Sequence, residues 1–236
     1  MLKIIYGKSG TGKSFNLYSD IKENLSLRKI FLIVPEQSNL AAEQKLLDFL
    51  WINSLIDIEV LTLSRMALRI LEEDGYLKQN NLTKAGKAMV IYDILNKQKD
   101  KLKFLGNSDK NIDIVMNMIT ELKKHNVTEE VLNNIDIFNI YTKLKVDDIK
   151  IIYEEYNKKL EDKFIDENDI LTVISSKIQN SKLLKNSLIY IDDFNGFTPQ
   201  EYIVFEELLK IADKVTVTVS TDCLETVDKE RDIFYF

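Results

Sequence analysis

The sequence predicts an α/β fold: a parallel sheet bearing a phosphate-binding P-loop, interrupted by a large all-helical insertion. Three observations carry this. The first fourteen residues run from an apolar strand into Gly-x-x-x-x-Gly-Lys-Ser and then into a helical pattern. Short β-branched runs that end in loops occur before residue 65 and return after residue 187. Between them proline is absent and apolar residues recur at three and four. The expected organisation is therefore 1–64 as the first part of the core, 65–187 as the helical insertion, and 188–236 as the second part of the core.

Leu2-Lys3-Ile4-Ile5-Tyr6 is the first strand. Gly7-Lys8-Ser9-Gly10-Thr11-Gly12-Lys13-Ser14 follows, and these eight residues form the expected nucleotide cradle. A triphosphate needs inward-pointing backbone N–H groups, which only a loop of small side chains can wrap closely enough to supply. The helix expected over about 13–26 adds its free amides and the positive end of its dipole. Lys13 is placed to reach the β- and γ-phosphates, and Ser14 to put its hydroxyl on Mg²⁺. Three of the chain's 7 glycines lie in this octet.

Lys29 to Val34 reads as a buried parallel strand ending at Pro35, and Pro35-Glu36-Gln37-Ser38 as the loop at its carboxyl end. Gln37 there would face bound nucleotide or DNA, or be a solvated loop residue. Asn39–Leu50 has helical spacing. Ile58–Leu63 is a third strand, with Ser64 as N-cap of a helix beginning at Arg65. In the insertion, helices are expected around 89–95, 112–122, 146–160 and 168–178, with a further start at Thr128. Tyr92, Tyr141, Tyr153 and Tyr156 lie at core spacing; the sharper reading has them stacking bases. The run Asn96–Lys103 reads as a solvated connector, with a phosphate-tracking patch as the alternative.

Strand character returns at Ser187–Ile191 and ends in Asp192-Asp193. Asp192 would share Mg²⁺ with Ser14 at the carboxyl edge of the sheet. Asp193 would act on the attacking water, although aspartate reaches less far than glutamate. Gln200, in the loop before a helix at about 199–211, would sense the γ-phosphate or simply start that helix. Lys214–Val219 is the last strand, and the tail from Ser220 stops at Phe234-Tyr235-Phe236 as if cut.

Net charge is −6, which excludes a globally basic nucleic-acid binder. The single cysteine, Cys223, excludes an internal disulfide and reads as a core thiol; with one histidine, His125, expected at the surface or a cap, a Cys/His metal site is not expected. No signal peptide or membrane span is expected, and the compartment reads as cytoplasmic. Lysines outnumber arginines 28 to 4, the arginines being Arg28, Arg65, Arg69 and Arg231. That shortage weighs against the alternative function, a small-molecule P-loop kinase with an arginine lid. A third reading is a DNA-binding or assembly module whose P-loop is a relic; the intact Lys13 and Ser14 speak against it.

The P-loop, Leu32-Ile33-Val34-Pro35-Glu36-Gln37-Ser38, Val60–Ala67 and Tyr190–Gln200, taken in this order, resemble the N-terminal region of the AddB (RexB) family, the B subunits of bacterial AddAB helicase–exonucleases. The resemblance spans essentially the whole chain. It implies a RecA-like domain of UvrD-like superfamily 1 type, with a helical subdomain inserted. It implies ATP and Mg²⁺ as ligands, an AddA-type partner subunit, and single- and double-stranded DNA as substrates in double-strand-break repair and recombination. It further implies a degenerate motor that scans single-stranded DNA, guided by Gln37, Ser64 and Arg65. The family's nuclease and iron–sulfur cluster belong to a region that a chain with one cysteine does not contain. Asp193, where active motors carry glutamate, implies slow hydrolysis.

Overall fold

A computed structural model describes the chain except residues 26–27, 52–56, 74, 76–79, 107–108, 136–138, 162 and 222–236. Cys223, Arg231 and the expected cut at Phe236 lie outside the described residues. In chain order the strands are β1 (Leu2–Tyr6), β2 (Ile30–Ile33), β3 (Ile58–Leu61), β4 (Asn80–Leu82), β5 (Phe164–Asp166), β6 (Leu188–Ile191) and β7 (Lys214–Val219). The α-helices are α1 (Lys13–Glu23), α2 (Asn39–Leu50), α3 (Leu63–Glu73), α4 (Lys84–Lys97), α5 (Ile112–Lys124), α6 (Glu129–Asn133), α7 (Ile140–Leu160), α8 (Ile170–Ser175) and α9 (Pro199–Ile211). The chain divides into two compact units, one of residues 1–76 and 171–236, the other of residues 77–170.

The first unit holds a five-stranded, all-parallel sheet in the order β1-β7-β6-β2-β3, a RecA-like layout. β2 and β6 are central and buried along their whole length, which is why they read as unbroken apolar runs. β1 is an edge strand; Leu2, Ile4 and Tyr6 alternate outward. On one face Leu17, Tyr18 and Ile21 of α1 and Ala42, Leu46 and Leu50 of α2 pack with Ile30, Leu32, Leu188 and Tyr190. The register pairs Tyr6 with Val219, Ile191 with Val217, and Ile33 with both Ile191 and Leu61. The carboxyl ends of all five strands therefore share one edge. Whatever follows Tyr6, Ile33, Leu61, Ile191 and Val219 meets there.

Some local boundaries differ from expectation. β3 stops at Leu61 and α3 begins at Leu63, so Ser64 is inside the helix and is not its cap. Thr62 takes that role, its Oγ1 accepting from Arg65 N at 3.2 Å. Ser64 and Thr62 are both hydroxyl residues, and the apolar Leu63 between them is buried, which pulls the helix start forward. The helix expected at 168–178 is broken into α8 and two flanking 3₁₀ turns. Glu73, at the end of α3, accepts from Ser181 Oγ at 2.5 Å and from Leu183 N at 2.8 Å.

The second unit is built on α4, α5 and α7, whose Ile91, Ile94, Ile119, Ile152 and Tyr156 form its core. It carries one addition to the expected helices: β4 and β5 pair in parallel over three residues each, too short to leave a period in the sequence. Tyr153 and Tyr156 are core residues, whereas Tyr92 and Tyr141 are exposed. His125 is exposed at the C-cap of α5. The lysine-rich run is mostly exposed and ends in an unexpected anchor. The Asp148 carboxylate is buried and accepts the N–H groups of Lys103, Phe104 and Leu105 at 2.7–2.9 Å. Asp148→Ala strands those three donors, each costing about 1–3 kcal/mol when buried and unpaired. The expected loss of about 2–4 kcal/mol is read from urea unfolding followed by circular dichroism, with Asp148→Asn retaining part of it.

A second buried polar cluster lies between α4, α5, α7 and β5. Asp166 Oδ2 accepts from Tyr156 Oη at 2.7 Å and pairs with Lys87 at 3.2 Å and Lys123 at 3.7 Å. Asp166 Oδ1 accepts from Asn168 N and Nδ2. Lys123 also meets Asp169, and Lys87 donates to Thr120. Both ammonium groups lie within 6 Å of the Tyr156 ring centroid. Burial pushes Asp166 upward, but the Asn168 amide, Lys123, Tyr156 and Lys87 outweigh it and hold the carboxyl below its ordinary value. Burial and the Asp166 charge push the Tyr156 phenol far up.

Candidate nucleotide site

Strand β1, a glycine turn and α1 place the octet Gly7–Ser14 at the carboxyl edge of the sheet. Its backbone demands glycine at defined places. Gly12 stands at the N-cap of α1 with φ +83, in the left-handed region. A Cβ on Gly7 would meet Thr11 Oγ1 at 2.5 Å, so that position has no room for one. Thr11 closes the turn, its N and Oγ1 both donating to Lys8 O. The Lys13 ammonium donates to Gly7 O and Lys8 O, each at 3.0 Å, and so folds back over the loop. The first helical amide bond in α1 runs from Asn16 N to Gly12 O. The amides of Lys13, Ser14 and Phe15 precede it, in the stretch where a helix has no carbonyl of its own to offer.

The loop borders a cavity of about 350 Å³ lined by Ser9, Gly10, Gly12, Lys13, Ser14, Phe15, Asp192, Asp193, Phe194, Asn195, Thr218 and Ser220. Ser14 and Asp192, remote in sequence, thus border the same space. β7, inserted between β1 and β6, supplies Thr218, whose hydroxyl donates to Asp192 Oδ1 at 2.6 Å. Asp192 is otherwise enclosed, only 4% exposed, and its N donates to Ile33 O. Asp193 turns with φ +66 and accepts from Ser38 Oγ at 2.7 Å. Behind the acids, burial pushes the Tyr18 phenol up to about 12, and the charges of Asp192 and Asp193 add to the shift. A carboxylate and a serine hydroxyl lining one cavity are hard-oxygen donors, a chemistry that fits Mg²⁺.

The other expected site residues are distributed differently. Gln37, in the turn that follows β2, and Ser64 and Arg65, in the first turn of α3, are exposed along the same sheet edge but outside the cavity lining. Gln200 is buried in the first turn of α9, away from the cavity lining, and its Nε2 donates to Thr172 Oγ1 at 3.0 Å. The surrounding Thr198-Pro199-Gln200-Glu201 is a capping box: Glu201 N donates to Thr198 Oγ1, and Thr198 N to Glu201 Oε2 at 2.7 Å. Phe194 and Phe197 pack on Phe205, with ring centroids 6.2 and 4.7 Å away, and so fix the loop that follows the two acids.

Two contributors escaped sequence reasoning. Thr218 looked like one more β-branched residue in an alternating strand, and no motif marked it. Ser38 lies inside the Pro35–Ser38 stretch, yet nothing local connects it with Asp193.

A family model described as "ADDB, N-terminal" matches residues 4–236. Over its full length the chain is 37% identical to the B subunit of the ATP-dependent helicase/deoxyribonuclease of Clostridium tetani, and covers 21% of that protein. Proteins of the same name from Ruminiclostridium cellulolyticum and Clostridium acetobutylicum are 39% and 32% identical over 94% and 99% of the chain. The chain spans about a fifth of the length of these curated relatives.

Proposed function

The chain belongs to the family of AddB N-terminal regions, and from that premise we propose that it is the ATP-binding, helicase-like part of a DNA-processing subunit. That larger protein acts with an AddA-type partner in double-strand-break repair and recombination, in the cytoplasm. The observation that carries this reading is a cavity bordered together by Gly10, Gly12, Lys13, Ser14 and Asp192. Among the described residues no helix is long and apolar enough to cross a membrane.

In this reading the amides of Gly10–Phe15 and the Lys13 ammonium bind the phosphates of ATP. Ser14 and Asp192 would hold Mg²⁺, which when bound neutralises charge on the β- and γ-phosphates. Thr218 keeps the Asp192 carboxylate turned by occupying Oδ1. Hydrolysis requires a water oxygen to bond the γ-phosphorus while the bridging oxygen leaves with ADP, and requires a base for the water's proton. Asp193 is the available base, but it has a short side chain and already accepts from Ser38. The chain is therefore a nucleotide binder and a slow ATPase, and Gln37, Ser64 and Arg65 at the sheet edge meet exiting single-stranded DNA. Against the kinase alternative, two of the scarce arginines are already engaged: Arg69 is paired with Glu59 at 3.2 Å, and Arg28 with Asp213.

The test is γ-phosphate release from ATP by the chain alone and in complex with its partner. Binding without turnover, or turnover well under the ~1 s⁻¹ floor of ordinary enzymes, is expected. Fast turnover by the chain alone overturns the weak-motor reading. Phosphate transfer to a nucleoside or small metabolite would support the kinase instead.

A further inference from the structure

We propose that Ser38 is the positioning residue of Asp193, and that their hydrogen bond makes the β2–α2 turn respond to what occupies the phosphate cavity. This rests on the nucleotide reading above.

Two observations converge on the contact. The bond joins residues 155 positions apart, and at 2.7 Å it has the length of a strong hydroxyl–carboxylate interaction. The Ser38 hydroxyl makes no bond to an amide of α2, the helix that its 3₁₀ turn runs into, and serves the acid instead. At the other end, Asp193 adopts φ +66, an uncommon conformation that aspartate takes more readily than most side-chain-bearing residues. The turn at Asp193 presents its carboxylate to a hydroxyl that has no competing partner in its own helix.

The placement gives the contact a direction of information. Asp193 borders the cavity and Ser38 does not. Lys13, Ser14, Asp192 and Asn195 border the same space, and the Tyr18 phenol feels both acids. A polyphosphate with its cation changes the field at the Asp193 carboxylate, and the strength of a hydrogen bond to a carboxylate follows that field. Ser38 closes the 3₁₀ turn Glu36–Ser38, with its N donating to Pro35 O at 3.0 Å. A change at its hydroxyl is therefore a change in the first turn of α2. The exposed Gln37 rides on the same turn, so the state of the cavity reaches the sheet-edge surface.

The test is amide hydrogen exchange across residues 35–42, with and without saturating ATP–Mg²⁺, in the unsubstituted chain, Ser38→Ala, Ser38→Thr and Asp193→Asn. Saturation keeps differences in affinity out of the comparison. The expected result is a nucleotide-dependent change of about tenfold in the unsubstituted chain. Ser38→Ala and Asp193→Asn lose it, and Ser38→Thr, which keeps the hydroxyl, retains it. Protection farther along α2, at Leu46 and Leu50, stays the same in all four and separates lost coupling from lost structure. A response that survives in Ser38→Ala, or is missing from the unsubstituted chain with ATP bound, overturns the proposal. Failure of the unsubstituted chain to bind ATP at all, measured by calorimetry, overturns the nucleotide reading and this coupling with it.

Discussion

Asp166→Ala is expected to cost about 3–5 kcal/mol and to unfold the second unit before the first. The reason is what remains behind. Asp166 is 1% exposed and compensates two ammonium groups that are themselves enclosed, Lys87 at 3% and Lys123 at 5%. Removing the carboxylate leaves Lys87 with the Thr120 hydroxyl and the Tyr156 ring but no counter-charge among the contacts described, leaves Lys123 with Asp169, and strands the Tyr156 hydroxyl. Hydrogen exchange resolved by segment checks it: α4, α5 and α7 should lose protection while β2 and β6 keep theirs. Adding Lys87→Met and Lys123→Met should recover much of the loss, because an all-apolar replacement no longer buries an unpaired charge. The pH dependence has a definite sign. The folded-state value of Asp166 lies below its ordinary 3.8, so its contribution is fully present above that value. It is lost as pH falls through the lower folded-state value, which makes the second unit an acid-labile part of the chain.

Lys13→Ala is expected to weaken ATP binding by about a hundredfold or more, as loss of one charge-assisted contact worth up to about 3 kcal/mol implies. Two effects act together. The ammonium no longer meets the phosphates, and the Gly7 and Lys8 carbonyls lose the donor that holds the turn closed. Lys13→Arg should rescue little, because a planar fork does not reproduce a point charge on two converging carbonyls. Calorimetric titration with ATP–Mg²⁺ measures it, alongside melting to confirm that the sheet persists. Unchanged affinity in Lys13→Ala would make the P-loop a relic.

The sheet was legible in the sequence because its central strands are buried on both sides and so read as unbroken apolar runs. α2, α9 and β7 fall where spacing places them, since each starts at a clear loop residue. The glycine turn between β1 and α1 was legible because its signal is local: Gly7 to Ser14 lie within eight positions. What stayed hidden was non-local. Thr218 and Ser38 act on acids 26 and 155 residues away, and neither has a residue type that announces this. The polar core around Asp166 was hidden for a related reason. No motif or spacing marks the lysines at 87 and 123, and it is β5 that brings a carboxylate between them. The start of α3 was misplaced because two hydroxyl residues compete for one cap, and burial of Leu63 decided between them.

The clasp at Glu73 has a consequence for how such a chain can change. A carboxylate at the end of α3, just before the chain leaves the sheet-bearing unit, accepts twice from the segment 181–183 that has come back to it. The two ends of the excursion are tied together within that unit itself. The sheet-bearing unit therefore closes on itself without drawing on residues 77–170, which leaves that span open to lengthening, trimming or exchange.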